Sequence, residues 1–126
     1  MAKPAASAGP AAEPAKGTNI GRLTTERLEA GRAWLAQQPD DRWFLQVFAA
    51  DAPNHAEIEA LLRRLVAGKA DMTQVHVYYS ELSGRARYGV VYGSYGSSAE
   101  AAAAIRGLPA AIRANKPYPR QVTRLR

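Results

Sequence analysis

The chain has no cysteine, which excludes disulfides, thiolate nucleophiles and cysteine metal sites. Histidine is scarce. His55 and His76 are the only two, one beside the start of a predicted helix and the other in mid-strand, so the His pair of a helical zinc site is missing. Acidic residues are also thin, 11 against 17 basic ones, and they are scattered through predicted helices and turns. The nearest approach to a carboxylate pair is Glu57 and Glu59, whose i,i+2 spacing on a helix keeps the side chains apart. No serine sits in a nucleophile elbow. These gaps leave no catalytic residue, no metal ligand and no cofactor motif, and the chain reads as a non-enzyme. Long apolar runs are missing as well: no segment approaches the roughly 20 residues that a membrane span requires. The N-terminal MAKPAASAGPAAEPAKG alternates small residues with proline and lysine and lacks a signal-peptide core. On this reading the chain alone is neither exported nor anchored, and work outside the cytoplasm requires it to be part of a longer protein.

What is present is a small basic chain of 126 residues with net charge +6. That charge favours anionic partners or simply gives a solvated rim. Residues 1–19 are Ala/Pro-rich with almost nothing large to bury, and read as a disordered linker. The remainder amounts to one domain, with a modest core and little room for a deep cavity. It divides into an N-terminal helical segment, 20–39, and a main module, 40–126.

A helix is predicted from Thr25 to Gln38, with Thr24 or Thr25 as N-cap and Pro39 as the stop. RWFLQVFA, Arg42 to Ala49, is the first strand, with Trp43, Leu45 and Val47 facing one way and Phe44, Gln46 and Phe48 the other. A helix follows over 54–67, where Ile58, Leu61, Leu62, Leu65 and Val66 form an apolar stripe and Gly68 suits the residue past its end. Strand two covers 72–81, with Val75, Val77 and Tyr79 on one face and His76, Tyr78 and Ser80 on the other. Ser83 and Gly84 make a hairpin turn into strand three, 85–92. A glycine-serine turn, 93–97, leads into a helix over 98–107. That turn resembles an anion cradle but lacks a P-loop lysine, and reads more simply as a tight turn with a serine cap. A short helix, 110–114, and a last strand, 120–125, complete the order β-α-β-β-α-β.

This is the split βαβ arrangement of α+β proteins, a four-stranded antiparallel sheet with both main helices on one face, here with an extra N-terminal helix. The other sheet face is expected to stay open and to carry function. Phe44, Gln46 and Phe48 on strand one, His76 and Tyr78 on strand two, and Arg87, Gly89 and Val91 on strand three make it a platform of rings, amide and guanidinium groups. Rings stack on sugars or bases, while Gln and Arg bond hydroxyl, acetamido or phosphate oxygens. A covering role for the N-terminal helix, or for a neighbouring subunit, is the competing expectation.

Several segments resemble the SPOR (sporulation-related repeat) family of bacterial peptidoglycan-binding domains, over about Trp43 to Leu125. WFLQV, Trp43 to Val47, is similar to the family's opening strand with its glycan-facing glutamine. YGVVYGSY, Tyr88 to Tyr95, resembles its third strand, and SSAEAA, Ser97 to Ala102, the start of its second helix. LPAAIRANKPYPRQVTRL suggests the DamX-type cell-division branch. The resemblance implies recognition of glycan strands stripped of their stem peptides, with Gln46 the first candidate contact. It also implies septal localisation, a periplasmic place as the C-terminal part of a membrane-anchored or exported protein, and division proteins as possible partners. Membrane attachment would then come only through an anchor outside this chain, and no nucleic acid is expected. Arg87, Phe48 and Gly89 depart from the family pattern. Two other readings stay open. One is a protein-interaction module using the Phe44/Phe48 face. The other is an RNA-recognition-type binder, for which Tyr88-Gly89-Val90-Val91 is only a partial echo of the required aromatic strand.

Overall fold

A computed structural model describes residues 19–81 and 84–126. The linker expected over 1–19, apart from Asn19, and Ser83 of the expected hairpin turn lie outside the described residues.

The described chain runs α1 (Arg22–Gln37), β1 (Trp43–Asp51), α2 (His55–Ala67), β2 (Val75–Ser80), β3 (Arg87–Tyr95), α3 (Ser98–Ala104), α4 (Ala110–Arg113) and β4 (Tyr118–Gln121), with short 3-10 turns between and after them. The four strands form one sheet in the order β2-β3-β1-β4, and every neighbouring pair is antiparallel. This is the expected split βαβ arrangement with an N-terminal helix added.

Two irregularities shape the sheet. Between Gln46↔Val91 and Phe48↔Val90, β1 carries one residue more than β3. A bulge of this kind bends its strand and re-aims the side chains beyond it. Between Leu45↔Tyr92 and Trp43↔Tyr95 the extra residue is on β3, where Gly93 has φ 76°, the left-handed conformation that glycine adopts without steric cost. Gly93 and Ser94 therefore form a bulge within β3 and not the turn expected after it. β3 continues to Tyr95, and helix α3 is capped two residues later by Ser97. The Ser97 Oγ accepts from Glu100 N at 3.1 Å, and Glu100 Oε1 accepts in return from Gly96 N at 2.8 Å. The reciprocal cap satisfies donors on both sides of the helix start.

One sheet face packs against α2, α3 and α4. Leu45, Val47, Val75, Val77, Tyr79, Tyr88 and Val90 meet Ile58, Leu61, Leu62, Leu65, Ala101, Leu108 and Ile112 in the main core. The alternation read in β1 and β2 accounts for most of this set. At the end of α2 the left-handed residue is Lys69, φ 61°, rather than Gly68, whose φ is −83°.

The opposite sheet face carries a second, smaller core: Leu35 from α1, Phe44, Val91, and Val122 and Leu125 from the C-terminal turn, with Trp34 and Tyr78 alongside. It exists because α1 follows the edge strand β2. Leu28 enters the main core and Leu35 the second one. Gly31 lies directly against β2, since a Cβ there would stand 2.2 Å from the carbonyl oxygen of Val77. Arg27 Nη1 donates to the carbonyls of Met72 and Val75 at 2.8 and 3.1 Å. An edge strand that would otherwise present unpaired backbone is thereby covered.

The N-cap of α1 is Gly21, ahead of the predicted Thr24 or Thr25, and it supplies no side-chain cap. Glu59 of α2 takes that role. Its Oε1 accepts from Thr24 N at 2.8 Å and Thr24 Oγ1 at 2.9 Å, and its Oε2 accepts from Leu23 N at 3.3 Å. Burial raises the Glu59 pKa, but these bonds and the Arg63 charge together outweigh it and leave the value below the ordinary 4.5.

Gly31→Ala is expected to lose roughly 1–3 kcal/mol, because overpacking against backbone cannot relax through a rotamer change. Gly107→Ala, where an added Cβ meets open space, is expected to be neutral or stabilising by up to about 1 kcal/mol. Urea denaturation of the two variants checks the contrast. Glu59→Ala is expected to cost about 2 kcal/mol at pH 7 and to speed amide exchange across the first turn of α1. Because the folded-state pKa is lowered, the Glu59 contribution is complete above the unfolded value. It fades as pH falls below 4.5, so the gap between the variant and the parent chain should close with acidification.

Candidate functional site

The second sheet face is not the open platform that the sequence suggested. Phe44 is 0 % exposed and Val91 1 %, sealed beneath α1 and the C-terminal turn, and Gln46, 3 % exposed, is buried as well, its carboxamide oxygen bonded by Tyr78 and Arg120. His76, expected at the surface, is buried too. Its ring stacks on Trp34, centroids 4.9 Å apart with 12° between planes, and Trp34 meets Phe44 edge-on at 6.0 Å. The His76 Nδ1 is buried without a hydrogen-bond partner. Burial, and secondly the Arg27 charge, push its pKa down to about 4. A neutral imidazole wedged under an indole is a packing residue, and it leaves the list of ligand contacts.

Phe48 lies on the wrong side. The extra residue at Val47 turns Phe48 toward the main core, where it packs half-buried. Strict alternation along RWFLQVFA predicts the opposite because nothing in those letters announces a bulge. Arg87 is exposed as expected, but its guanidinium stands 3.5 Å from the Asp51 carboxylate directly across on β1.

What remains accessible on this face is its far part, beyond the reach of α1. Tyr78 lies across Gly89, whose added Cβ would come within 2.2 Å of the ring. The glycine that left a gap in the expected platform is thus the seat of a tyrosine. Laid flat, Tyr78 donates its hydroxyl to Gln46 Oε1 at 3.2 Å. Gln46 donates from Nε2 to the Phe48 carbonyl at 2.9 Å, which fixes the amide orientation and turns Oε1 toward Tyr78. Arg120 completes the cluster: its Nη1 donates to Gln46 Oε1 at 2.9 Å and to Tyr78 Oη at 3.1 Å. Tyr118, 54 % exposed, pairs with Gln46 in register and so shares its face.

Gln46 and Tyr78 were candidates from the sequence, whereas Arg120 and Tyr118 were not. Their signal was available in the topology: β4 neighbours β1 in a split βαβ sheet, so alternate residues of β4 must flank Gln46. Pro117 and Pro119 obscured it and delayed the predicted strand to Arg120. As an edge strand, β4 tolerates Pro119, which pairs with Leu45.

The site is an amide, a phenol and a guanidinium locked together, with a solvent-facing ring beside them. Such a set binds oxygen-rich ligands by hydrogen bonds and a flat apolar face by stacking. Among the described residues no cluster of three or more metal-binding side chains occurs.

The His76 environment makes a prediction of its own. Its folded pKa is depressed, so between pH 6.5 and about 4 the unfolded chain holds a proton that the folded chain refuses. Stability is expected to fall with pH across that window by on the order of 2–3 kcal/mol. His76→Phe keeps a ring under Trp34 and should flatten that part of the profile, as read by urea denaturation at pH 7 and at pH 4.5.

Compared with models of known protein families and with curated proteins, the chain matches none.

Proposed function

We propose that this chain is a non-catalytic glycan-binding module, which recognises peptidoglycan strands stripped of their stem peptides. By that binding it would localise a larger protein to the division septum of a bacterial envelope. The observation that carries the reading is the half-buried pair Tyr78 and Arg120, both held by the oxygen of the buried Gln46 carboxamide on the part of the sheet that α1 leaves uncovered. The exposed Tyr118 ring lies beside it on the same face. Sugars present hydroxyl and acetamido oxygens around the edge of a ring and C–H groups on its face, and the cluster offers a complement to each. The resemblance of the β1, β3 and α3 segments to the SPOR family supports the same ligand, with Gln46 at its glycan-facing position.

The protein-docking alternative needed Phe44 and Phe48 together on an open surface. Phe44 is sealed by α1 and Phe48 packs on the main core, so that surface is not assembled. An RNA-recognition surface needs aromatic rings in series on the central strands. On this face the one central-strand ring, Phe44, is sealed with Val91 in the second core, and β1 and β3 otherwise carry Gln46 and Gly89.

The test is co-sedimentation with purified sacculi, with and without amidase pretreatment. Amidase treatment is expected to raise the bound fraction several-fold. Tyr118→Ala, a surface change that should leave the melting temperature within a few degrees, is expected to lower it. Retention that is indifferent to both treatment and substitution would sink the reading. Salt-sensitive retention on single-stranded RNA would favour the nucleic-acid alternative.

A further inference from the structure

Arg120 is half-buried, yet it has no carboxylate partner. Ion pairs among the described residues engage Arg22, Arg63, Arg85, Arg87 and Arg126. Arg120 instead has two neutral acceptors, Gln46 Oε1 and Tyr78 Oη, both served by the same nitrogen, Nη1. Gln46 and Tyr78 therefore aim the guanidinium without neutralising it. No aspartate or glutamate follows Glu100 in the sequence. The Arg120 hydrogen bonds both run from Nη1, which leaves the Nε–Nη2 edge of the guanidinium without an acceptor among the described residues. That edge is the two-pronged donor that matches a carboxylate with two parallel bonds.

We propose that Arg120 is the carboxylate receptor of this site, and that on a glycan strand it takes the free lactyl carboxylate of muramic acid. The inference rests on the glycan reading above and deepens it. A strand of alternating N-acetylglucosamine and N-acetylmuramic acid has hydroxyl, acetamido and ether oxygens, all neutral. Its one anionic group is the lactyl carboxyl, and in an unprocessed strand that carboxyl is consumed in an amide to the stem peptide. Amidase hydrolysis breaks the C–N bond and leaves a carboxylate on the sugar and an amine on the released peptide. Arg120 thus meets a neutral, bulky amide before cleavage and a compact anion after it. A charge is added at the one point where the stripped strand differs from the intact one, and the fixed guanidinium is the group that reads it. Tyr118, two residues before Arg120 on β4 and on the same face, is placed to stack on the sugar that bears this carboxylate.

The experiment is calorimetric or NMR titration of the full chain with a tetrasaccharide of this repeat in two forms. One has free lactyl carboxylates, and in the other they are converted to methylamides. The parent chain is expected to bind the acid at least about tenfold tighter than the amide, the usual gain of a charge-assisted pair over a neutral one. Arg120→Gln should bind both forms with the weaker affinity. Arg120→Lys, which retains the charge without the fork, should keep only part of the preference. Tyr118→Ala should weaken both forms alike and leave their ratio intact. The acid-to-amide ratio of the parent chain needs no variant, so it stays decisive if Arg120→Gln unfolds. Equal affinity for the two forms would overturn the carboxylate assignment while leaving glycan binding in place, as would an acid preference that persists in Arg120→Gln. Binding of neither form, together with indifference to amidase in the sacculus assay, would overturn both.

Discussion

The contact of Gly31 with the backbone of Val77 sets the geometry of everything on the second sheet face. Helix axes usually pass their neighbours at 8–10 Å, a spacing imposed by side chains. At Gly31 there is none, and α1 sits down on the carbonyl row of β2 itself. From that pivot Trp34 and Leu35 reach over the sheet rim onto His76, Phe44 and Val91. A bulkier residue at 31 would lift the helix and open a gap beneath it. The remaining tethers are polar and come from the flanks: Glu59 at the first turn of α1, Arg27 along the edge strand, and Arg126, which bonds both the Leu35 carbonyl and Asp40 at the far end. Close packing at the middle and hydrogen bonds at both ends fix one docking position.

That position decides what the sheet face can do. With one part sealed, the accessible part is narrow and is bounded by Tyr78, Arg120 and Tyr118, with the buried Gln46 bonded to the first two. Sealing also changes the role of the residues beneath. Phe44 and Val91 are ballast for the strands that carry Gln46 and Gly89, and His76 is held neutral where a charged ring would be costly. Rigid support under a small polar cluster is what lets its few hydrogen bonds hold their directions. The bulge at Gly93 serves the same end from the opposite side. Ser94 accepts from Arg42 Nε and Nη2 at 3.2 and 3.1 Å and donates to Gln38 Oε1 at 3.0 Å, which ties β3 to the turn between α1 and β1.

The element order, the strand pairing and the main core were legible because each rests on a local period. Ile58, Leu61, Leu62 and Leu65 repeat as a helix face, and Val75, Val77 and Tyr79 repeat as a strand face. The hidden features were those with no local signature. The β1 bulge places Phe48 opposite Val90, and no residue type in RWFLQVFA encodes it. The docking of α1 depends on a single glycine meeting a strand more than 40 residues away, and a helix pattern alone does not say which surface it covers. Glu59 has the sequence signature of a solvated helix residue and becomes the cap of another helix. Of the polar cluster, Gln46 and Tyr78 were readable from alternation, while Arg120 needed the knowledge that β4 lies beside β1.

The pairing of β4 with β1 has a kinetic side as well. Gln46 and Arg120 are 74 residues apart in the chain, and Arg126 closes on Leu35 over 91. Contacts of such span are reached only after a long loop has been closed, at an entropic cost that local helices and hairpins do not carry. During synthesis β1, α2, β2 and β3 are all complete before β4 exists, so the chain emerges with the second core and the Gln46–Tyr78–Arg120 cluster both unfinished. Until residues 118–126 arrive, β1 stands as an open sheet edge and Phe44 lacks Val122 and Leu125. Formation of the polar cluster is thereby tied to β4: a chain cut short before Tyr118 would keep Gln46 and Tyr78 but lack Arg120 and the exposed Tyr118 ring.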